Sequence, residues 1–116
     1  MKVPPKEYAQ TVAFYREVLG LEPLRDPAWS ATESTRFDFG GKVLWIDRMD
    51  GMDRAEVWLE IETDDAEAAE RYLAKREIRR RDDAEPLPDG WRAFWVASPA
   101  GVIHLVTEGP DGEPPP

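Results

Sequence analysis

Two segments of this chain resemble each other closely enough to constrain its fold. Residues 14–22 read FYREVLGLE and residues 71–79 read RYLAKREIR, and each looks like the end of an amphipathic helix that runs into a short strand. Tyr15 and Tyr72 lie 57 residues apart, about half of the 116-residue chain. The sequence therefore predicts two tandem copies of one supersecondary module with pseudo-twofold symmetry. Domains built in this way often place a ligand cleft between the copies.

The first module is predicted to contain one helix followed by three strands. Four residues recur at helical spacing ahead of Gly20, which is expected to end the helix: Tyr8, Val12, Tyr15 and Leu19. Residues 21–25, 33–39 and 42–47 are predicted strands, and Gly40-Gly41 is expected to form the hairpin turn between the last two. Because only three residues precede the prolines at positions 4 and 5, the opening strand of this module is predicted to be truncated.

The second module opens with the clearest strand pattern in the chain. Three apolar residues alternate with four others: Val57, Leu59 and Ile61 against Glu56, Trp58, Glu60 and Glu62. We expect the apolar face to pack in the core, while the opposite face carries three carboxylates and an indole. A capping box of Asp64 and Glu67 predicts the start of a helix. Three further strands are predicted after it, at residues 78–81, 91–97 and 102–107.

Together these elements predict an α+β fold. It consists of two βαβββ-type modules, the first with a truncated opening strand, whose curved and mostly antiparallel sheets surround a cleft. We expect one domain over residues 1–108, with module one at 1–47, a linker at 48–54 and module two at 55–108. Residues 109–116 are predicted to form a disordered, proline-rich tail.

Charge and composition exclude several classes of function. The net charge of −9 disfavours binding to nucleic acid or to anionic membranes, and it would attract cationic ligands. The absence of cysteine excludes disulfides, thiolate metal sites and cysteine nucleophiles. The chain contains no apolar run long enough for a membrane span and no apolar leader at its start. We therefore expect a cytoplasmic protein.

The module order and two local motifs carry a resemblance to a known family. The FYREVLGLE segment after the first helix and SPAGVIHLV at the last hairpin resemble the vicinal oxygen chelate superfamily, over about residues 3–108. This superfamily includes glyoxalase I, extradiol dioxygenases and bleomycin resistance proteins. The resemblance implies the duplicated fold. Glu77 departs from the family pattern, which usually has glycine at the end of the second helix.

The resemblance also implies four metal-ligand positions, and this chain keeps few of them. The first falls before Met1, the second on Val43 or Trp45, the third on Trp58, and the fourth on His104. Of these, His104 alone is a competent ligand, whereas a divalent ion needs roughly three protein donors. We therefore expect no metal cofactor. If a metal does bind, the expected non-standard site is formed by His104, Glu60 and Asp47.

The candidate ligand-binding residues follow from the strand alternation. Trp58 and Glu60 share the face opposite the apolar stripe of their strand. His104 lies between Ile103 and Leu105, which are predicted core residues, so it is expected to point to that same surface and is a possible catalytic base. The full predicted set is Trp45, Asp47, Trp58, Glu60, Phe94 and His104. The simpler interpretation of each is a core aromatic, a satisfied histidine or a solvated carboxylate.

We therefore favour a metal-free binding protein that sequesters or carries a cationic or aromatic small molecule, by resemblance to the bleomycin resistance proteins. One alternative is a metal-dependent lyase, isomerase or dioxygenase with a non-standard site. Another is a protein-interaction module without a small ligand. A homodimer is expected, because the truncated opening strand leaves backbone groups at a sheet edge without partners.

Overall fold

A computed structural model describes residues 1–109, and it divides the chain into two compact units between Val57 and Trp58. Each unit contains one α-helix and one three-stranded sheet, so the predicted α+β fold with two similar modules is confirmed. The predicted proline-rich tail lies, except for Gly109, outside the described residues. Of the helices within residues 1–109, none combines the length and apolar character that crossing a bilayer requires.

Unit 1 consists of a mixed sheet and one helix that ends in a wide turn. Its elements are β1 (Lys2–Val3), α1 (Pro5–Ala13), a π-helical turn (Phe14–Val18), β2 (Ser34–Phe39) and β3 (Lys42–Arg48). The central strand β3 pairs in parallel with β1 and antiparallel with β2. The opening strand is thus truncated to two residues, as predicted. Gly40 and Gly41 have φ angles of 63° and 87°, as a tight hairpin turn requires.

The core of unit 1 lies between α1 and one face of the sheet. Its buried residues are Val3, Tyr8, Val12, Phe37 and Ile46. The Tyr8 hydroxyl lies 2.7 Å from Oγ1 of Thr35, and burial raises the pKa of the Tyr8 phenol despite this bond. Leu19, predicted to lie on the same helical face, is half exposed instead. The π-helical turn bonds the Leu19 amide to the carbonyl of Phe14, five residues back, which rotates Leu19 off that face.

Unit 2 has the same layout. Its elements are β4 (Leu59–Thr63), α2 (Ala66–Ala74), β5 (Ala93–Ala97) and β6 (Ile103–Glu108). The central strand β6 pairs in parallel with β4 and antiparallel with β5. Both sheets are therefore mixed, with one parallel and one antiparallel pair of strands each. The helix cap is Asp65, whose carboxylate accepts a bond from the Ala68 amide at 3.0 Å, so the predicted cap at Asp64 was off by one residue.

Two predicted strands are reduced to single bridges. Pro23 bridges Phe37 at the edge of unit 1, and Arg80 bridges Val96 in unit 2. Proline has no backbone N–H to donate, which limits the ladder at residues 21–25.

In unit 2, both faces of β5 and β6 are covered. On one face α2 packs against Phe94, Val96 and Val106. On the other, the loop at residues 84–91 covers Trp95, Ile103 and Leu105. The prediction that β4 supplies the core was wrong. Val57, Leu59 and Ile61 are 59%, 49% and 50% exposed, because α2 packs mainly on β5 and β6.

Glu77 ends the α2 region in a conformation that favours glycine. Its φ of 60° is the one positive value among the non-glycine residues in the described part of the chain. Glu77→Gly is therefore expected to raise the free energy of unfolding by up to about 1 kcal/mol, measured by urea denaturation. Lys75→Gly is the matched control. Its φ is −63°, and we expect a loss of about 0.5–1 kcal/mol. A loss for Glu77→Gly would contradict the left-handed conformation.

Candidate functional site

The face of the unit 1 sheet that points away from α1 carries polar side chains, and we call it the helix-free face. The strand pairing places Lys2 and Ser34 beside Asp47, and Arg36 beside Trp45. These residues alternate with the core residues Val3, Phe37 and Ile46, which pack under the helix. The structure thus brings two of the predicted site residues, Trp45 and Asp47, to one face.

A buried ion pair lies at one edge of this face. The Lys2 Nζ atom lies 2.7 Å from Oδ2 of Asp47, and the two side chains are only 6% and 9% exposed. The backbone of Lys2 also exchanges two hydrogen bonds with the backbone of Glu56, at 2.8 and 2.9 Å. Asp47 is therefore neutralised by the protein itself and does not offer a free charge to a cationic ligand.

A chain of hydroxyl groups connects Asp47 with the loop that precedes β2. The Ser34 hydroxyl donates to Oδ1 of Asp47 at 2.5 Å, and the Ser30 and Ser34 hydroxyl oxygens lie 2.6 Å apart. The Thr32 hydroxyl donates to the carbonyl of Arg48 on β3. The side chains of Ser30 and Thr32 thus anchor this loop to β2 and β3.

The same loop borders a cavity of about 500 Å³ that is open to solvent. Residues 26–30 and 32–34 line it, among them Asp26, Glu33, Trp29 and Ser30. Residues 33 and 34 of this lining belong to the strand predicted at 33–39, and the candidate site residues predicted from the sequence include none of residues 26–34. One signal was visible there, since an indole lies between carboxylates among small hydroxyl residues in DPAWSATES.

Trp45 already has a cationic partner. The Arg36 guanidinium carbon lies 5.1 Å from the centroid of the Trp45 ring. The same guanidinium donates from Nη2 to the carbonyl of Arg25 at 2.9 Å. The predicted stacking wall is thus occupied by an internal cation–π contact.

In unit 2 the predicted site residues are divided between two faces of the sheet. The parallel pairing sets Leu59 beside His104 and Glu60 beside Leu105, so the His104 and Glu60 side chains point to opposite faces. The prediction that they share one surface was wrong. Ile103 and Leu105 are indeed buried, but under the loop at residues 84–91 and not under α2.

Phe94 and Trp58 both belong to the packing of unit 2. Phe94, predicted as an apolar wall of the site, is 3% exposed and packs in the cluster with Ala66 of α2. Trp58 packs edge-to-face on Trp95, with ring centroids 5.3 Å apart. The Trp95 indole in turn donates to the carbonyl of Glu85 at 2.9 Å. The predicted ligand surface around Trp58 is thus filled by the protein's own loop.

The alternative metal site does not fit these positions. His104 and Glu60 lie on opposite faces of one sheet, so they cannot coordinate the same ion. The Nδ1 atom of His104 lies 3.0 Å from the carbonyl oxygen of Val102. Within residues 1–109, no group of three His, Cys, Asp or Glu side chains is placed to hold a metal ion.

Comparison with known proteins gives likenesses in structure alone. No protein-family model matches the chain, and no curated protein matches it. A glyoxalase/bleomycin resistance protein/dioxygenase superfamily member from Vibrio splendidus 12B01 aligns with a TM-score of 0.64 at 12% identity, covering 93% of this chain and 95% of that one. An NAD-dependent benzaldehyde dehydrogenase from Legionella pneumophila aligns with a TM-score of 0.59 at 17% identity, covering 87% of this chain and 90% of that one.

Identities this low establish a fold and not an activity. A glyoxalase family protein from Bacillus anthracis, at 18% identity over 93% of this chain and 88% of that one, has a TM-score of only 0.41 and adds no argument. The likeness to the Vibrio splendidus protein extends over nearly all of both chains, and each unit has a strand–helix–strand–strand order, in which one strand of the predicted βαβββ module is reduced to a single bridge. The chain therefore has the fold of the glyoxalase/bleomycin resistance protein/dioxygenase superfamily.

Proposed function

We propose that this protein binds a small organic molecule in the loop cavity of unit 1 and sequesters or carries it without a metal ion. The observation that carries this proposal is the cavity itself. Its volume of about 500 Å³ lies within the range of roughly 300–1,000 Å³ that is typical of small-molecule sites. Trp29 is the aromatic residue of its lining, and several polar groups lie beside it.

The anchored loop supports this choice of site. Hydrogen bonds from Ser30, Thr32 and Ser34 hold the cavity wall to the sheet before any ligand arrives. A preformed site loses less conformational entropy when it binds its ligand. Asp47 keeps a role in this proposal, but as the buried support of the wall and not as a direct contact.

A titration of Trp29 variants tests the proposal. Benzylamine, benzyl alcohol and benzoate are titrated into the purified protein while tryptophan fluorescence and thermal stability are followed. We expect a saturable change with at least one compound in the natural protein and in Trp58→Phe, a control in unit 2, and none in Trp29→Ala. Absence of saturable binding, or unchanged binding in Trp29→Ala, would overturn the proposed function.

The metal-free part of the proposal has its own measurement. Protein purified without chelator is expected to contain far less than one equivalent of Ni, Zn, Fe or Mn. Binding of the aromatic probe is expected to be unchanged by added chelator. One tightly held metal per chain that binding requires would favour the metal-dependent alternative instead.

Self-association is a further part of the proposal. β4 is an edge strand of its three-stranded sheet, and Leu59 and Ile61 on it are half exposed. A second copy of the chain would cover these apolar side chains. Light scattering at tens of micromolar is expected to give twice the mass of one chain, and Leu59→Lys is expected to lower it. Tyr72→Lys, an exposed position on α2, is the control. A monomer mass for the natural protein would contradict this expectation.

The remaining expectations about partners and location belong to the same proposal. We expect a cytoplasmic protein without nucleic-acid or membrane partners, because a net charge of −9 repels phosphate groups and anionic lipids. Binding of duplex DNA or anionic vesicles at physiological salt would contradict it.

A further inference from the structure

The hydrogen bonds between Lys2 and the loop cavity have one consistent direction. The Lys2 ammonium can only donate, and the Asp47 carboxylate, held 2.7 Å from it, can only accept. The single proton of the Ser34 hydroxyl therefore points to Oδ1 of Asp47, at 2.5 Å. Its other acceptor, the carbonyl of Thr32, is more distant at 3.3 Å.

The hydrogen bond between Ser30 and Ser34 has its direction fixed in the same way. Because the Ser34 proton is engaged with Asp47, the bond of 2.6 Å between the two serine hydroxyls uses the proton of Ser30. The Ser30 oxygen then has lone pairs to offer but no proton. The Ser30 oxygen accepts only a weak hydrogen bond from the Thr32 amide, whose nitrogen lies 3.5 Å from Oγ.

The other polar side chains around the cavity have the same character. The Thr32 hydroxyl donates its proton to the carbonyl of Arg48. Asp26 and Glu33, which also line the cavity, are acceptors when ionised. The hydroxyl and carboxylate side chains around this space therefore offer acceptors and negative charge.

Resting on the proposed function, we infer that the loop cavity selects an organic ammonium group attached to a flat apolar ring. The ammonium donates to Ser30 Oγ and to the carboxylates of Asp26 and Glu33, while the ring packs on Trp29. A carboxylate or phosphate ligand would meet lone pairs and like charge. A neutral alcohol would find acceptors but would lack the charge. Ser30 is thus a specificity-determining residue, and Ser34 and Asp47 are positioning residues that set its hydrogen-bond direction.

Three probes that share one ring test the inference by calorimetric titration near pH 7. Benzylamine is protonated, benzyl alcohol is neutral and benzoate is anionic. In the natural protein we expect benzylamine to bind about tenfold more tightly than benzyl alcohol, the scale of one charge-assisted hydrogen bond, and benzoate to bind most weakly. Ser30→Ala is expected to weaken benzylamine binding severalfold.

Ser34→Ala separates the hydrogen-bond direction from general electrostatic attraction. It leaves the net charge at −9 but frees the Ser30 proton, so Ser30 can donate as well as accept. We expect the preference for benzylamine over benzyl alcohol to fall severalfold in this variant. Ser98→Ala in unit 2 is expected to keep the natural preference. Far-UV circular dichroism and thermal melting show that each variant is folded, and Ser34→Thr, which restores a hydroxyl, is expected to regain the preference if Ser34→Ala is unstable.

The outcomes distinguish this inference from the proposed function. If benzyl alcohol or benzoate binds at least as tightly as benzylamine and Trp29→Ala abolishes that binding, the inference fails while the cavity remains a binding site. An unchanged preference in folded Ser34→Ala would also overturn the inference. If none of the three probes binds, or if Trp29→Ala binds them normally, the proposed function fails and the inference fails with it.

Discussion

Asp47→Ala is expected to lower the free energy of unfolding by about 3–5 kcal/mol, because it would leave the Lys2 ammonium buried without its carboxylate partner. The side chains of the pair are only 6% and 9% exposed, and Asp47 also accepts the hydroxyl proton of Ser34. Urea denaturation followed by tryptophan fluorescence measures the loss.

Two controls separate burial of the pair from charge in general. Arg16→Ala removes an exposed ion pair with Glu17, whose N–O distance is 3.5 Å and whose side chains are 50% and 68% exposed, and we expect a change below about 1 kcal/mol. The double variant Lys2→Met with Asp47→Leu is expected to lose less than Asp47→Ala alone, because no unpaired charge remains buried. A loss below about 1 kcal/mol for Asp47→Ala would show that the pair is open to water.

Phe94→Ala is the second change with a large expected effect. Phe94 is 3% exposed and packs with Val96, Val106 and Ala66 between the sheet of unit 2 and α2. Truncation of a buried phenylalanine in such a cluster costs about 3–5 kcal/mol, from lost apolar contacts and the cavity that remains. Urea denaturation measures this loss as well.

Phe39→Ala is the matched control, because Phe39 also lies on a strand but is 50% exposed. We expect it to cost about 1 kcal/mol or less. Equal losses of unfolding free energy for the two variants would contradict the position of Phe94 under α2. They would favour the predicted position of Phe94 on the ligand-binding surface.

The duplicated architecture could be predicted because its signals are local. The repeated helix ends at Tyr15 and Tyr72 predicted two similar units, and the structure contains them. The Gly40-Gly41 pair predicted a hairpin, since both positions need a positive φ that glycine adopts without strain. The family pattern usually has glycine at position 77, which indicates a left-handed backbone conformation there. Glu77 does adopt that conformation.

The faces of the strands in unit 2 could not be predicted in the same way. Alternation identifies a core face only where the opposite face is exposed to solvent. In β6 both Leu105 and Val106 are buried, one under the loop at residues 84–91 and the other under α2. The sequence pattern therefore did not indicate whether His104 lies on the same face as Glu60 or on the opposite face. A shift of one residue in register moves every side chain of a strand to the other face, and the predicted face of His104 was wrong for this reason.

The site in unit 1 could not be predicted, because it is formed by two features that leave no periodic pattern in the sequence. Lys2 reaches Asp47 because a strand of only two residues pairs in parallel with β3, and such a short strand has no alternation to detect. The cavity is formed by an irregular loop whose shape depends on the hydroxyl bonds of Ser30, Thr32 and Ser34. Those bonds follow from tertiary contacts and not from local propensity.

The most direct test of a small-molecule site in unit 1 is a titration of the ¹⁵N-labelled protein with benzylamine, followed by two-dimensional NMR. We predict saturable shifts of the backbone amides of residues 26, 28–30 and 32–34, which line the cavity, with smaller shifts at Asp47 and little change in residues 93–106. Trp29→Ala should remove these shifts without changing the rest of the spectrum. Shifts centred on Trp58, Phe94 and His104, or no saturable shift at all, would contradict the account.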